Sequence, residues 1–304
     1  MAVKARLSLG PVLFNWPPEQ WRDFYLRVAD EADVDAVHVG EVVCSKRQPF
    51  VAPHFAAVID RLRRAGKEVV YSSLALVTNE RDAGQMHELC AEGGLTVEIN
   101  DIGLLRVVGG RPHVIGPLIN IYNEGTLAYL ADQGAVRACL PPELPLSSID
   151  RLAAVKKIAV EVFTFGRMPL ALSARCFHAR AHHLHKDGCQ FVCGNDPDGL
   201  VVETLDRKPF LAVNGMQVMS HTCCNLLGEF ATLRKAGVGW FRLSPMSTDM
   251  VAVARLYRLV LNKRIDAADG TKQLAELLPG VVFSNGFLKG REGRAFLAAD
   301  ELGA

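Results

Sequence analysis

L-G-P-V-L-F-N-W, residues 9–16, is the turn that follows the first strand-like run of this chain. A doubly wound dinucleotide-binding sheet would carry a Gly-rich phosphate turn here, G-x-G-x-x-G opening a helix. Instead a single glycine is followed at once by proline, and no further glycine stands in register. That leaves the other architecture of alternating strands and helices, the closed parallel barrel.

Outward from this turn the alternation is regular. Strand-like segments cover 6–12, 36–43, 68–76, 95–100, 113–120, 136–140 and 159–165. Helical patterns separate them at about 17–33, 53–65, 80–92, 123–133 and 147–158. Pro17 and Pro18 suit a first helical turn, Gly66, Gly93 and Gly134 suit helix ends, and Ser147 or Ser148 can cap a helix start. From about 170 to 218 the rhythm breaks into a short apolar run, a cysteine-rich stretch and strand-like 200–204 and 210–213. It resumes as a helix over 224–236, a strand over 239–244 and a helix over 248–262. The pattern predicts a (β/α)8 TIM-like barrel over residues 1–265, with an irregular cysteine-bearing insertion at about 170–218 before the last strand. Residues 266–304 are expected to form a tail packed on the barrel.

Composition limits what such a barrel does. The 304 residues are 49% hydrophobic and 22% charged, with a formal net charge of +1 and no block of five or six like charges. Binding to nucleic acid or a membrane by bulk electrostatics is disfavoured. The richest basic stretch, 61–67, reads as the solvated face and end of one helix. No apolar run reaches the roughly 18–20 residues of a spanning helix, and the first residues lack a secretory h-region. A cytoplasmic location is expected. In that compartment thiols stay reduced, so eight cysteines read as core residues, ligands or reactive groups rather than disulfides.

Three of the eight, Cys176, Cys189 and Cys193, fall in A-R-C-F-H-A-R-A-H-H-L-H-K-D-G-C-Q-F-V-C-G-N-D-P-D, residues 174–198. Their spacing is C-x12-C-x3-C, in a polar loop where a purely structural cysteine is hard to justify. Cys44 directly follows the second strand, so a barrel brings all four to its C-terminal rim, where active sites of this architecture lie. Four thiolates suit tetrahedral zinc or an iron–sulfur cluster. Only Cys189 and Cys193 form a local pair, and remote ligands suit a cubane, whose irons are held separately, better than a zinc knuckle. The radical S-adenosylmethionine pattern C-x3-C-x2-C fails, since position 196 is Asp196. His178, His182, His183 and His185 read as a solvated loop. Cys90, Cys139, Cys223 and Cys224 read as core, the last two beside an apolar helix face. His87-Glu88 lacks the second histidine of a zinc-protease helix, because position 91 is Ala91, and no G-x-S-x-G or P-loop occurs. Asn15, Glu41, Asn100, Asn120 and Arg242 at strand ends, with Arg175 beside the cysteines, are the remaining polar candidates for a pocket.

Several segments carry a resemblance. G-E-V-V-C-S-K-R (40–47), P-L-A-L-S-A-R-C (169–176), V-N-G-M-Q (213–217), F-S-N-G-F (283–287) and the C-x12-C-x3-C run resemble UbiV proteins, a branch of the collagenase-like (U-type) peptidase family. The resemblance extends from the first strand to the tail, and the cysteine pattern is its most specific part. It implies a [4Fe–4S] cluster held by Cys44, Cys176, Cys189 and Cys193. It implies an iron–sulfur subunit of an O2-independent hydroxylation system acting on ubiquinone precursors. A UbiU-like protein would be its heterodimer partner and a UbiT-like lipid carrier an accessory. In related members the oxygen atom comes from prephenate rather than O2. The resemblance assigns no catalytic residue here. Two other readings are a non-catalytic scaffold stabilised by a cluster or zinc, and a metal-independent hydrolase, for which no nucleophile motif speaks.

Overall fold

A computed structural model describes residues 5–91 and 94–297 of the chain. Its strands are β1 (Arg6–Leu9), β2 (Ala36–Val39), β3 (Glu68–Ser72), β4 (Thr96–Ile99), β5 (His113–Ile115), β6 (Ala135–Cys139), β7 (Ala159–Leu172), β8 (Leu200–Glu203), β9 (Pro209–Asn214), β10 (Gln217–Asn225), β11 (Trp240–Leu243) and β12 (Phe283–Ser284). The first seven pair in parallel in sequence order, and β11 pairs in parallel with both β7 and β1. Eight strands therefore close on themselves. The fold is a TIM barrel.

The helices lie between these strands, and their sequences show why. Phe55–Arg64 buries Val58 and Leu62, one helical turn apart, and exposes its arginines. Asn123, Asp249 and Asp266 each accept a backbone N–H in the first turn of the helix that follows. Residues 92 and 93, expected to close the helix Glu80–Ala91, lie outside the described residues.

The barrel interior departs from the usual layers of branched apolar side chains. A-V-H-V, T-V-E-I, A-V-E-V and W-F-R-L each set one ionisable residue in a largely apolar run. These residues, His38, Glu98, Glu161 and Arg242, are essentially inaccessible. Arg242 donates from Nε to Glu161 Oε1 at 3.2 Å and from Nη2 to Glu161 Oε2 at 2.8 Å, and it also bonds Glu98. Ser72 Oγ donates to Glu98 Oε1 at 2.9 Å, and Ser8 Oγ donates to Glu161. Burial alone would push both carboxyls up. Arg242 outweighs it, holding Glu98 well below the ordinary value and Glu161 at about 2.

Two expectations need correction, both beyond residue 165. Strand β7 does not stop at Phe165 but runs on to Leu172. At Gly166 (φ +111°) the backbone presses on Ser244, where an added Cβ would lie 2.8 Å from its atoms. A glycine is required there, and beyond it the strand leaves the barrel to pair antiparallel with β10. The predicted helix over 224–236 begins only at Phe230, and Cys223 and Cys224 lie within strand β10, just before its end at Asn225. They are buried, as expected, but in a sheet rather than against a helix. Strands β8, β9, β10 and the outer half of β7 thus form an antiparallel annex over the barrel mouth. In the tail, the helix Ala267–Leu277 buries Leu274, and β12 joins the annex through β10. Residues 298–304 lie outside the described residues.

Candidate functional site

Cys44 stands on the loop leaving β2, and Glu41 fixes that loop. Its Oε1 accepts the backbone N–H of Val43 at 2.8 Å and of Cys44 at 2.9 Å. Cys176 is the N-cap of the short helix Phe177–Ala181, and its Sγ accepts the N–H of Ala179 at 3.4 Å. Cys189 and Cys193 lie in the turns that follow. Long-range contacts tie this loop down. Lys46 Nζ donates to Lys186 O at 2.8 Å, Trp16 Nε1 donates to Pro197 O at 2.8 Å, and Phe50 meets Phe191 edge-on with centroids 4.7 Å apart.

The result is one small hollow lined by all four cysteines, Cys44, Cys176, Cys189 and Cys193, together with Arg47 and Met216. Cys44 and Cys189, which stand far apart in the sequence, face the same space. No three of the four sulfurs lie mutually within 4.8 Å. Arg47 is buried beside them. Its Nη1 donates to Leu13 O and its Nη2 to Asn214 Oδ1, both at 2.9 Å, and Cys44 and Cys193 both act on its charge. Gly215 (φ +63°) permits this packing, because a Cβ there would lie 2.6 Å from Arg47 Nη2. Burial raises the Cys44 thiol pKa, and Arg47 opposes the shift.

Of the histidines, His182 stacks on His178 and joins it and Asp196 in a group whose ligand atoms lie within 4.8 Å of one another, but it is exposed, as His183 and His185 are. His178 is not. It is fully buried against the cysteine hollow, and its Nε2 lies 2.8 Å from Asp196 Oδ2. The loop reading fails for this residue because the Phe177–Ala181 helix turns it inward. Burial lowers its pKa, while Asp196 acts in the opposite sense.

The other polar candidates separate. Asn100 and Arg242 line a second hollow in the barrel mouth, with Glu98 and Gln217. Glu41 serves the Cys44 loop, and Asn15 is half-buried against Gly194 of the insertion. Asn120 and Arg175 are exposed and join neither hollow. Arg47, Gln217, Glu98 and Glu161 were not singled out from the sequence. The signal for the last two was available: one charge per apolar strand, at positions that a closed barrel turns inward.

A model of peptidase family U32 matches residues 24–295, most of the chain. The chain belongs to peptidase family U32. Among solved structures, this U32 barrel is similar to a mutant tryptophan synthase alpha-subunit from Pyrococcus furiosus, at 11% identity over 91% of this chain and 99% of that one, with a TM-score of 0.41. It is also similar to dihydropteroate synthase from Thermus thermophilus, at 14% identity over 86% and 93% of the two chains, with a TM-score of 0.43. Likeness at this level says nothing about what the U32 chain acts on.

Proposed function

We propose that this U32 protein is the iron–sulfur subunit of an O2-independent hydroxylation system acting on ubiquinone precursors, a UbiV-like chain. It works with a UbiU-like partner and a UbiT-like lipid carrier. The observation that carries the reading is the meeting of Cys44, Cys176, Cys189 and Cys193 on one hollow at the barrel rim. The donor set fits a [4Fe–4S] cluster. A single zinc ion at about 2.3 Å from each sulfur needs sulfurs only about 3.8 Å apart. No three of the four meet even a 4.8 Å limit, which favours irons held separately over a single zinc. When bound, the cluster supplies one-electron transfer.

The chain's own residues account for how such a group is held. Glu41 orients Cys44 through two backbone N–H groups, and the Ala179 N–H bonds Cys176 Sγ. Hydrogen bonds to the sulfurs tune the potential of such clusters. Arg47 brings a buried positive charge to the thiolates, and Lys46 tethers the loop that closes the hollow.

Anaerobic purification followed by iron and sulfide analysis tests the reading. The expected result is a brown protein with about four irons per chain. A colourless protein carrying one tightly bound zinc under those conditions would overturn it. Cys176→Ala is expected to lose the iron and the hydroxylation while keeping the partner. If the partner is lost together with the iron, the cluster serves as a scaffold; if hydroxylation survives without iron, the redox role fails.

A further inference from the structure

The insertion brings a second set of metal-type side chains together, apart from its cysteines. His178 lies in the helix Phe177–Ala181 and His182 caps its end, so the two stand one turn apart on one face. Their rings stack, with centroids 5.7 Å apart and planes within 7°. Asp196, from the turn before β8, closes the group, with its Oδ2 2.8 Å from His178 Nε2. One ligand atom from each of the three lies within 4.8 Å of the other two. The four sulfurs do not pass that limit. The group is anchored from both sides. His178 N donates to Gly215 O at 3.3 Å, Trp16 Nε1 holds Pro197 O, and Asp198 Oδ1 accepts the Ser247 N–H at 2.7 Å.

The chemistry of the three narrows what they hold. Histidines at i and i+4 of a helix reach one zinc ion from the same side. Two imidazoles and a carboxylate together suit a divalent first-row metal, and zinc above all. Ligands at about 2.1 Å on a tetrahedral zinc stand about 3.4 Å apart. The His178–Asp196 contact of 2.8 Å falls inside that spacing and the 4.8 Å limit outside it. Exposed His182 can turn to close the difference, while buried His178 stays fixed. No lysine or arginine nitrogen lies within 4 Å of the Asp196 carboxylate among the described residues, so its charge is not already taken by a side-chain cation of that kind. His178 Nδ1 is buried with no partner in the protein, which calls for a group from outside the chain.

We propose that His178, His182 and Asp196 bind one divalent metal ion of the zinc class through two imidazoles and a carboxylate. The site goes beyond the iron–sulfur reading and does not rest on it. His178 also lines the cysteine hollow, so the two metal positions are neighbours that share this residue. Three protein ligands leave a fourth position open to water or to an oxygen atom of a small ligand. Two neutral imidazoles and one carboxylate leave the ion with a net positive charge, so an anionic oxygen is the class of ligand it takes.

Equilibrium dialysis of the anaerobically purified, full-length protein against zinc tests the site, with zinc and iron measured on the same samples. Zinc K-edge absorption then reads the ligands. The expected result is about one zinc per chain beyond any iron, with nitrogen and oxygen neighbours at about 2.0–2.2 Å. His182→Ala, at an exposed position, should weaken zinc about tenfold or more with iron content and melting temperature unchanged. Asp196→Asn, which keeps an acceptor for His178, should do the same. His185→Ala, in the same loop but outside the group, should bind zinc as before. No retained zinc, sulfur neighbours alone at about 2.3 Å, an equal loss in His185→Ala, or undiminished zinc in the folded His182 and Asp196 variants would overturn the proposal. His178 and Asp196 would then be a hydrogen-bonded pair only. Iron-free protein that binds zinc through nitrogen and oxygen would overturn the iron–sulfur reading while this site stands.

Discussion

Arg242 in the barrel and Arg47 beside the cysteines are equally buried, each 2% exposed, yet their charges are met in opposite ways. Arg242 is enclosed by two carboxylates that it holds ionised. Arg47 bonds a carbonyl and an amide, its Nε has no partner, and no carboxylate oxygen lies within 4 Å of its nitrogens among the described residues. Glu41 supplies the largest favourable charge on Arg47 without touching it, and burial raises its carboxyl pKa while Arg47 opposes that shift. The barrel charge is thus met by direct ion pairs, and the charge at the rim only through space. If the four thiols bind a metal as proposed, this buried cation stands where their thiolate charge would develop.

The comparison can be broken or sharpened by substitution. Arg242→Met should have the largest effect, because it removes the main counter-charge of two buried carboxyls. A loss of about 3–5 kcal/mol in urea unfolding is expected. The pH dependence carries the same sign. Glu161 titrates at an ordinary 4.5 when unfolded and at about 2 when folded. Its contribution is therefore full above about pH 4.5 and lost as pH falls toward 2. Urea midpoints measured down that range should show the loss. In Arg242→Met it should begin at higher pH, where only Arg137 and His38 are left to oppose the upward push of burial on the two carboxyls. An unchanged acid profile would mean that the arginine does not hold them.

Gly215→Ala should come next. It forces a side chain into a left-handed conformation and against Arg47, for an expected loss of about 1–3 kcal/mol by thermal unfolding. Iron content should fall with it, because Arg47 has to move. A stable variant with full iron would show that the packing at φ +63° is relaxed.

Arg47→Met should cost the apo-protein least, about 1 kcal/mol or less, since it removes two hydrogen bonds to neutral groups along with a charge met only through space. Its effect should appear in the metal, with cluster affinity weakened about 10–100-fold in a chelator competition. If the apo-protein loses as much as Arg242→Met does, the contrast between the two arginines fails.

How much of this could be read beforehand differs between the same two regions. The barrel was legible because each short apolar strand and each amphipathic helix signals itself locally, and the turn at 9–16 excluded the open sheet. The annex was not. Strand β10 holds M-S-H-T-C-C, whose strand character comes from pairing with β7 and β9 rather than from alternation. That pairing depends on the exit of β7 at Gly166. His178 was misread for a similar reason, since one polar residue in a histidine-rich loop carries no sign that a five-residue helix turns it inward.

The sequence alone determined the parallel barrel, the four cysteines as a set, and the family resemblance. These rest on periodicity, residue chemistry and spacing, which are properties of the chain itself. Only the tertiary structure decided that Arg47 stands against the thiols, that Arg242 is already satisfied, and that Asp196 meets the buried His178. Partnership between buried polar groups is a long-range fact. It depends on which residues closure of the barrel and folding-over of the annex bring within about 3 Å, a hydrogen bond's reach.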